Sequence, residues 1–240
     1  MKRFALIGHP VAGSLSPVLF SAAYGGRYPY DLLDFDRFED AWKAFLDGYH
    51  GINVTAPYKQ DAFAHVDWRS PAAQETGAVN LVVKTPSGLQ GYNTDVDGVL
   101  GAVRETRLSF ADALVVGTGG AARAAVAAAR QLGCRVTVAG RSPQRAAALG
   151  CPVVGWTDLP EWPRPAGPLL LLYTLPGSAP VPEGLPLAEA VVVEAEYRHP
   201  VLAGCPHYVP GKRWLLHQAI AGYSLFTGEP PSVQEMLRAL

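Results

Sequence analysis

The stretch ALVVGTGGAARAAVAAARQLG, residues 113–133, decides the fold of the second half of the chain. It predicts an apolar strand, a glycine turn and an alanine-rich helix. Glycines in such a turn let the backbone approach a pyrophosphate, which the free N–H groups at the helix N-terminus stabilise. The alternative is a tight connection without a ligand, but strand, turn and helix follow in the order that a dinucleotide site requires. We therefore expect Gly117, Gly119, Gly120 and Ala121 to bind a dinucleotide.

The next strand indicates which dinucleotide is bound. An NAD site usually carries an acidic residue about 20 positions further on, which bonds the ribose 2′-hydroxyl. The segment VTVAGRSPQR, residues 136–145, has no carboxylate and carries Arg141, Ser142 and Arg145 instead. A guanidinium can make a paired, charge-assisted contact with a 2′-phosphate, although it could also be a solvated arginine at a helix start. These three residues predict NADP as the cofactor.

Outward from this stretch, apolar runs alternate with amphipathic segments along the whole chain. Strands are expected at FALIG (4–8), YDLLDF (30–35), INVT (52–55), AVNLVVK (78–84), PVVG, GPLLLLY and AVVVEAE, and helices at Ser16-Pro17 with Ser16 as N-cap, RFEDAWKAFLDG (37–48), 97–105, PQRAAALG, WLLHQAIAGYSLFTG (214–228) and SVQEMLRAL. Near-continuous apolar strands suit a parallel sheet covered on both faces. The predicted fold class is two α/β lobes. Residues 1–97 plus 214–240 would form a substrate-binding and catalytic domain, and residues 98–213 a Rossmann-type NADP-binding domain with a parallel sheet.

Composition argues against nucleic-acid-binding, membrane, disulfide-rich and zinc proteins. The 240 residues are 49% hydrophobic with a formal net charge of −1, and no basic run favours nucleic acid or an anionic membrane as partner. Three widely spaced cysteines argue against a disulfide framework or a zinc site and favour a reducing cytoplasm. No apolar run approaches the roughly 20 residues of a membrane-spanning helix. We expect a soluble cytoplasmic protein, a monomer or homodimer, with a small-molecule substrate and no metal.

Small polar residues in the first lobe follow the predicted strands, where ligands of open α/β sheets bind. They are Ser14, Ser16, Thr55, Lys59, Asn80 and Asp95. Several have a structural alternative, since Ser16 and Asp95 could cap helices and Asn80 could serve a turn.

Five motifs together resemble the shikimate dehydrogenase family: NVTAPYK (53–59), GAVN (77–80), GYNTD (91–95), GTGGAARA (117–124) and HQAIAGYSLFTG (217–228). The resemblance runs from residue 4 to residue 228. It implies reduction of 3-dehydroshikimate to shikimate with NADPH, in aromatic amino-acid biosynthesis, with Lys59 and Asp95 as the catalytic pair. It further implies that Ser14 and Ser16 bind the substrate carboxylate, and that Thr55, Asn80 and Gln218 bind ring hydroxyls or that carboxylate.

Two alternatives remain open at this point. One is a relative that oxidises quinate or another hydroxylated cyclic acid. The other is a nucleotide-binding sensor without catalysis, against which the presence of both Lys59 and Asp95 argues, because binding alone needs no acid–base pair.

The chain also departs from the family pattern. Gly13 replaces a histidine, Gly140 replaces an asparagine and should weaken NADP binding, and Tyr173-Thr174-Leu175 occupy a cofactor-facing segment. Glu194 stands where a substrate-facing tyrosine is expected, and a carboxylate there would repel the substrate carboxylate. Either Glu194 points elsewhere, or Tyr197 takes the role, or the substrate differs. We expect catalysis with altered efficiency or substrate range.

Overall fold

A computed structural model describes all residues, 1–240, and the chain forms two compact units. The first unit comprises Met1–Thr94 and Leu216–Leu240, and the second comprises Asp95–Leu215. Each unit contains one six-stranded sheet. No helix is long and apolar enough to cross a membrane. The predicted α/β fold class is confirmed.

The sheet of the first unit is mixed. Its strands are β1 (Phe4–Gly8), β2 (Tyr30–Asp34), β3 (Gly51–Val54), β4 (Trp68–Arg69), β5 (Leu81–Thr85) and β6 (Gly88–Tyr92), in the order β2-β1-β3-β5-β6-β4. β1 pairs in parallel with β2 and β3, whereas β5 is antiparallel to β3 and β6. The helices of this unit are α1 (Ser16–Tyr24), α2 (Phe38–Gly48), α3 (Lys59–His65), α4 (Pro71–Thr76), the larger part of α8 (Gly211–Thr227) and α9 (Val233–Arg238).

The apolar spacing of α2 explains how this unit builds its core. Phe38, Ala41, Trp42 and Phe45 follow one another at a helical spacing, so they lie on one face of the helix and all are buried. They pack with the buried side chains of β1 and β3 in one hydrophobic cluster.

The sheet of the second unit is wholly parallel. Its strands are β7 (Asp112–Val116), β8 (Arg135–Gly140), β9 (Val153–Gly155), β10 (Leu169–Tyr173), β11 (Ala190–Glu194) and β12 (Tyr208–Val209), in the order β12-β11-β10-β7-β8-β9. Its helices include α5 (Asp95–Arg104), α6 (Gly120–Gln131) and α7 (Pro143–Ala147). If β7 is counted as strand 1 and the sheet is followed from β9 to β12, the order is 3-2-1-4-5-6, which is that of the doubly wound fold.

Both sheets have a point where the strand order reverses, between β1 and β3 in the first unit and between β7 and β10 in the second. Ligands of open α/β sheets bind at such points, beyond the carboxyl ends of the strands.

The structure corrects the expected start of α1 and adds two helices. Leu15, not Ser16, is the N-cap of α1, and Ser16 is the first helical residue before Pro17. Residues 59–65 and 71–76 form α3 and α4, where the sequence predicted only a strand-rich region. Lys59, which follows the predicted third strand, is therefore the first residue of a helix.

Candidate active site

The loop after β1 brings Ser14 and Ser16 together. The Ser14 hydroxyl donates to Ser16 Oγ over 3.2 Å and accepts from the Ser16 N–H over 3.2 Å. Tyr223 of α8 donates its hydroxyl to the Ser16 carbonyl at 3.1 Å. Gly13 has φ 81°, a backbone conformation that side chains disfavour, so the residue in the expected histidine position has a backbone role. The two serine hydroxyls thus form a paired polar group beyond the end of β1.

Asp34, at the end of β2, holds the start of the same loop. One carboxylate oxygen accepts from the Val11 N–H at 3.0 Å, and the other lies 2.7 Å from His9 Nδ1. The Val11 N–H foremost, and then His9, lower the pKa of the Asp34 carboxyl below its ordinary value. The sequence analysis missed Asp34 and His9, because their pairing requires β1 and β2 to be neighbours in the sheet.

Thr55 and Lys59 follow β3 at the reversal point of the first sheet. The Thr55 N–H donates to the Ile7 carbonyl of β1 at 2.9 Å. A side chain at Gly8 would collide with Thr55 Cγ2, so glycine is required for this approach. The Lys59 carbonyl accepts from the Val79 N–H at 2.9 Å, which places the first turn of α3 beside the segment that leads to β5.

Asn80, Thr94 and Gln218 form one buried polar network. The Thr94 N–H donates to Asn80 Oδ1 at 2.8 Å, and Asn80 Nδ2 donates to Thr94 Oγ1 at 3.1 Å. Thr94 Oγ1 lies 3.4 Å from Gln218 Oε1 on α8. A side chain at Gly222, one helical turn later, would lie 2.7 Å from Leu81 Cδ1, so this glycine allows α8 to lie close to β5. Two predicted substrate-binding residues that are far apart in the chain therefore share one partner.

Asp95 directly follows Thr94 and is the first residue of α5, in the second unit, whereas Lys59 lies in the first unit. Both side chains are half-buried.

The glycine turn has the geometry that its sequence predicts. Gly117 has φ 123°, and any side chain there would collide with Thr174 Oγ1 at the end of β10. The Thr174 hydroxyl donates to the Val116 carbonyl at 2.8 Å, so it supports the turn directly. Gly119 is the N-cap of α6 with no side-chain hydrogen bond, and a methyl group there would meet nothing within 4 Å. The N-terminus of α6, which begins with Gly120 and Ala121, is therefore open to an anion.

Arg141, Ser142 and Arg145 lie just beyond β8. Arg141 and Arg145 are exposed, and Ser142 is the N-cap of α7. A side chain at Gly140 would lie 3.1 Å from both Thr118 Cγ2 and Ala146 Cβ. A side chain before Arg141 would therefore require Thr118 or Ala146 to shift.

Glu194 points into the second unit, which is the first of the three explanations left open by the sequence. Its side chain is fully buried at the end of β11. The carboxylate accepts from the Val201 N–H at 2.8 Å, the Leu202 N–H at 3.3 Å and the Tyr208 hydroxyl at 2.7 Å. These three donors hold the carboxylate within the second unit, so Glu194 does not take the place of a substrate-facing tyrosine. Its role is to hold the segment 195–202.

Tyr173 is the neighbour of Glu194 across the sheet, in register on β10. It is fully buried, and its hydroxyl has no hydrogen-bond partner in the chain. Burial first, and then the negative charge of Glu194, raise the pKa of Tyr173 to about 12. This tyrosine is part of the core and is not exposed to a cofactor.

Known proteins resemble this chain in sequence and in fold. Residues 6–82 match the family described as the shikimate dehydrogenase substrate binding domain. The chain is 38% identical over 209 residues to the shikimate dehydrogenase (NADP(+)) of one strain of Thermus thermophilus, covering 82% of this chain and 79% of that protein. This chain belongs to the shikimate dehydrogenase family. The family predicted from the motifs is confirmed.

Solved structures extend the likeness of this shikimate dehydrogenase family member to its whole length. The shikimate 5-dehydrogenase of a second Thermus thermophilus strain, solved in complex with NADP(H) and shikimate, matches with a TM-score of 0.84 and 35% identity over 100% of both chains. The quinate dehydrogenase of Corynebacterium glutamicum, solved in complex with NAD, matches with a TM-score of 0.83 and 26% identity, covering 99% of this chain and 98% of that one.

Proposed function

We propose that the protein reduces 3-dehydroshikimate to shikimate with NADPH, in aromatic amino-acid biosynthesis. The observation that carries the proposal is the buried network of Asn80, Thr94 and Gln218 in the first unit. Asn80 follows Val79, whose N–H donates to the Lys59 carbonyl, and Asp95 follows Thr94 in the chain. Family membership supports the same reaction. The first unit, Met1–Thr94 with Leu216–Leu240, would bind the substrate, and the second unit, Asp95–Leu215, would bind NADP.

The residues of the second unit fit NADP. The open N-terminus of α6 suits the pyrophosphate, since Gly117 allows the turn and Gly119 leaves the space before the helix empty. Arg141, Ser142 and Arg145 would bind the 2′-phosphate, because Arg141 is exposed directly beyond β8 and no carboxylate stands beside it in sequence. NADPH held by these residues would supply the hydride that reduces the carbonyl carbon of the substrate.

The chain's own residues would bind the substrate and supply the proton. The Ser14 and Ser16 hydroxyls bind the ring carboxylate, and Thr55, Asn80 and Gln218 bind its hydroxyls or that carboxylate. As negative charge develops on the carbonyl oxygen, the Lys59 ammonium donates a proton to it, so that C=O becomes CH–OH. Asp95 orients the ammonium. General acid catalysis of this kind contributes about 10²–10⁴-fold to the rate.

The test is the reverse reaction, followed as absorbance of the reduced cofactor with shikimate and NADP⁺. Quinate and NAD⁺ are run in parallel, because a quinate dehydrogenase is among the structural matches. We expect turnover with shikimate and NADP⁺ and much less with the other combinations. Turnover with quinate but not with shikimate would contradict the proposal. A protein that binds NADP⁺ but turns over neither substrate would contradict it as well.

Lys59→Ala tests the catalytic role itself. We expect kcat to fall about 10²–10⁴-fold, with the Kd for NADP⁺ changed less than about twofold. Lys43→Ala is the matched control, since Lys43 is an exposed lysine on α2 of the same unit. If kcat falls equally in the two variants, Lys59 has no catalytic function.

A cytoplasmic location belongs to the same proposal. Cys134, Cys151 and Cys205 are free thiols, as is usual in a reducing compartment. We propose a monomer or a homodimer, which light scattering of the purified protein would distinguish.

A further inference from the structure

Arg141 has an aromatic neighbour just beyond the adjacent strand. β8 and β9 pair in parallel with Gly140 opposite Gly155, so Arg141 and Trp156 are the first residues after these two strands. The guanidinium carbon of Arg141 lies over the Trp156 ring, 6.0 Å from its centre. This distance is at the outer edge of the range of cation–π attraction, for which tryptophan is the best aromatic partner.

The Trp156 ring is held by packing. It is half-buried against the hydrophobic core of the second unit, which includes Val154, Leu159 and Tyr173. Its indole N–H is buried and has no acceptor in the chain. Replacement of the ring by another apolar side chain therefore removes no hydrogen bond within the protein, which makes Trp156 suitable for substitution.

We propose that Trp156 is a positioning residue that contributes to cofactor specificity, by holding the Arg141 guanidinium ready for the 2′-phosphate of NADP. A guanidinium that lies over a ring still presents its N–H donors at its edge, where a phosphate can accept them. A flexible exposed arginine loses side-chain entropy when it binds, and a ring that already restricts it reduces that loss. This inference rests on the proposed use of NADP.

The contact between Trp156 and Arg141 also compensates for the missing side chain at Gly140. Close contacts with Thr118 and Ala146 leave little room for an asparagine side chain before Arg141. Trp156 supports the arginine from the neighbouring strand instead, so the NADP site of this chain depends on an aromatic residue that follows the carboxyl end of β9.

The experiment measures Kd by calorimetry for NADP⁺, NAD⁺ and adenosine 2′,5′-bisphosphate, with 5′-AMP as the probe that lacks the 2′-phosphate. In Trp156→Leu, we expect the Kd for NADP⁺ and for the bisphosphate to rise about two- to fivefold, as for a surface cation–π contact. The Kd for NAD⁺ and for 5′-AMP should stay unchanged. Trp156→Phe should fall between the wild-type protein and the leucine variant, because phenylalanine has the weaker π face.

Trp162→Leu is the matched control. Arg164 lies over the Trp162 ring at 5.5 Å, and Trp162 packs against the same core. Trp162 and Arg164 line a cavity together with Asp112 and Arg135, the first residues of β7 and β8. This pair therefore lies at the amino ends of the strands, whereas Arg141 and Trp156 lie at the carboxyl ends. We expect Trp162→Leu to leave the ratio of the two cofactor affinities unchanged.

Arg141→Ala and the double variant separate the possible outcomes. If Arg141→Ala leaves NADP⁺ and bisphosphate binding intact, the NADP assignment itself fails. If Arg141→Ala weakens them but Trp156→Leu does not, or if Trp156→Leu weakens NAD⁺ equally, the role of Trp156 is overturned. Adding Trp156→Leu to Arg141→Ala should have no further effect on NADP⁺ affinity, because the ring acts through the arginine.

Discussion

At the scale of single residues, surroundings decide what a charged side chain does. Glu194 is an acidic residue near an expected substrate cleft when only the sequence is considered. In the structure, three donors within the second unit surround its carboxylate. A buried carboxylate with its hydrogen bonds satisfied stabilises the segment that supplies the donors.

Glu194→Ala should therefore lower stability strongly. The change leaves the N–H groups of Val201 and Leu202 and the Tyr208 hydroxyl without their acceptor, and we expect a loss of about 3 kcal/mol or more in the free energy of unfolding. Urea denaturation would measure it as a lower midpoint. Glu189→Ala, at an exposed glutamate just before β11, should change stability by less than about 0.5 kcal/mol. A Glu194→Ala protein as stable as the wild type would refute this role.

Tyr173 leads to a prediction about alkaline pH. Its pKa is raised from 10.0 to about 12 in the folded protein. Because the unfolded chain loses this proton at lower pH, the contribution of neutral Tyr173 to stability is complete below pH 10 and is lost as the pH rises towards 12. Tyr173→Phe should reduce the fall in melting temperature over this range. At pH 7 it should be neutral or slightly stabilising, since the hydroxyl has no partner.

Tyr208→Phe provides the contrast. The Tyr208 hydroxyl donates to Glu194, so its removal should cost about 1–2 kcal/mol at pH 7. If Tyr173→Phe destabilises the protein as much as Tyr208→Phe, the Tyr173 hydroxyl makes a stabilising hydrogen bond and the prediction is wrong.

At the scale of elements, the turn between β7 and α6 contains two glycines with different functions. Gly117 needs its positive φ and the absence of a side chain beside Thr174, whereas Gly119 has ordinary φ and open space around it. The first glycine shapes the turn, and the second leaves room for a ligand.

Alanine substitutions should separate these functions. Gly117→Ala should lower the free energy of unfolding by about 1–3 kcal/mol and weaken NADP⁺ binding as well, because the turn is strained. Gly119→Ala should cost less stability than Gly117→Ala, about 0.5–1 kcal/mol as for alanine at an N-cap, and should still weaken NADP⁺ binding, because its methyl group occupies the space before the N-terminus of α6. Thermal melts and cofactor titration would measure both effects. Equal stability losses in the two variants would contradict the distinction.

Element prediction succeeded where a periodic pattern was long and failed where it was short. The strands β7 to β11 and the helices α2, α6 and α8 were predicted because their apolar patterns extend over a whole element. α3 and α4 were missed because seven and six residues provide too few turns to show a helical period. The start of α1 was predicted one residue late, because a serine before a proline is typical of an N-cap, whereas Ser16 is the first helical residue.

At the scale of the whole molecule, the two units should respond to different ligands. Hydrogen exchange would be measured with NADP⁺ alone and with shikimate alone. We expect NADP⁺ to slow exchange in Asp95–Leu215, most of all around residues 117–123 and 140–145. Shikimate should slow exchange around residues 13–16, 54–60 and 80, and around 216–222 of α8. Protection by NADP⁺ confined to Met1–Thr94 would contradict the assignment of the units.

The sequence alone was sufficient for the longer strands and helices and their order, the glycine turn, and the motifs that place the chain in its family. These features depend on residues close together in the chain, and short-range backbone and hydrophobic preferences determine them. The pairing of Asp34 with His9, the shared partner of Asn80 and Gln218, the burial of Glu194 and the position of Trp156 beside Arg141 were decided only by tertiary structure. Each depends on which strands become neighbours in a sheet, and that order is a property of the packed molecule.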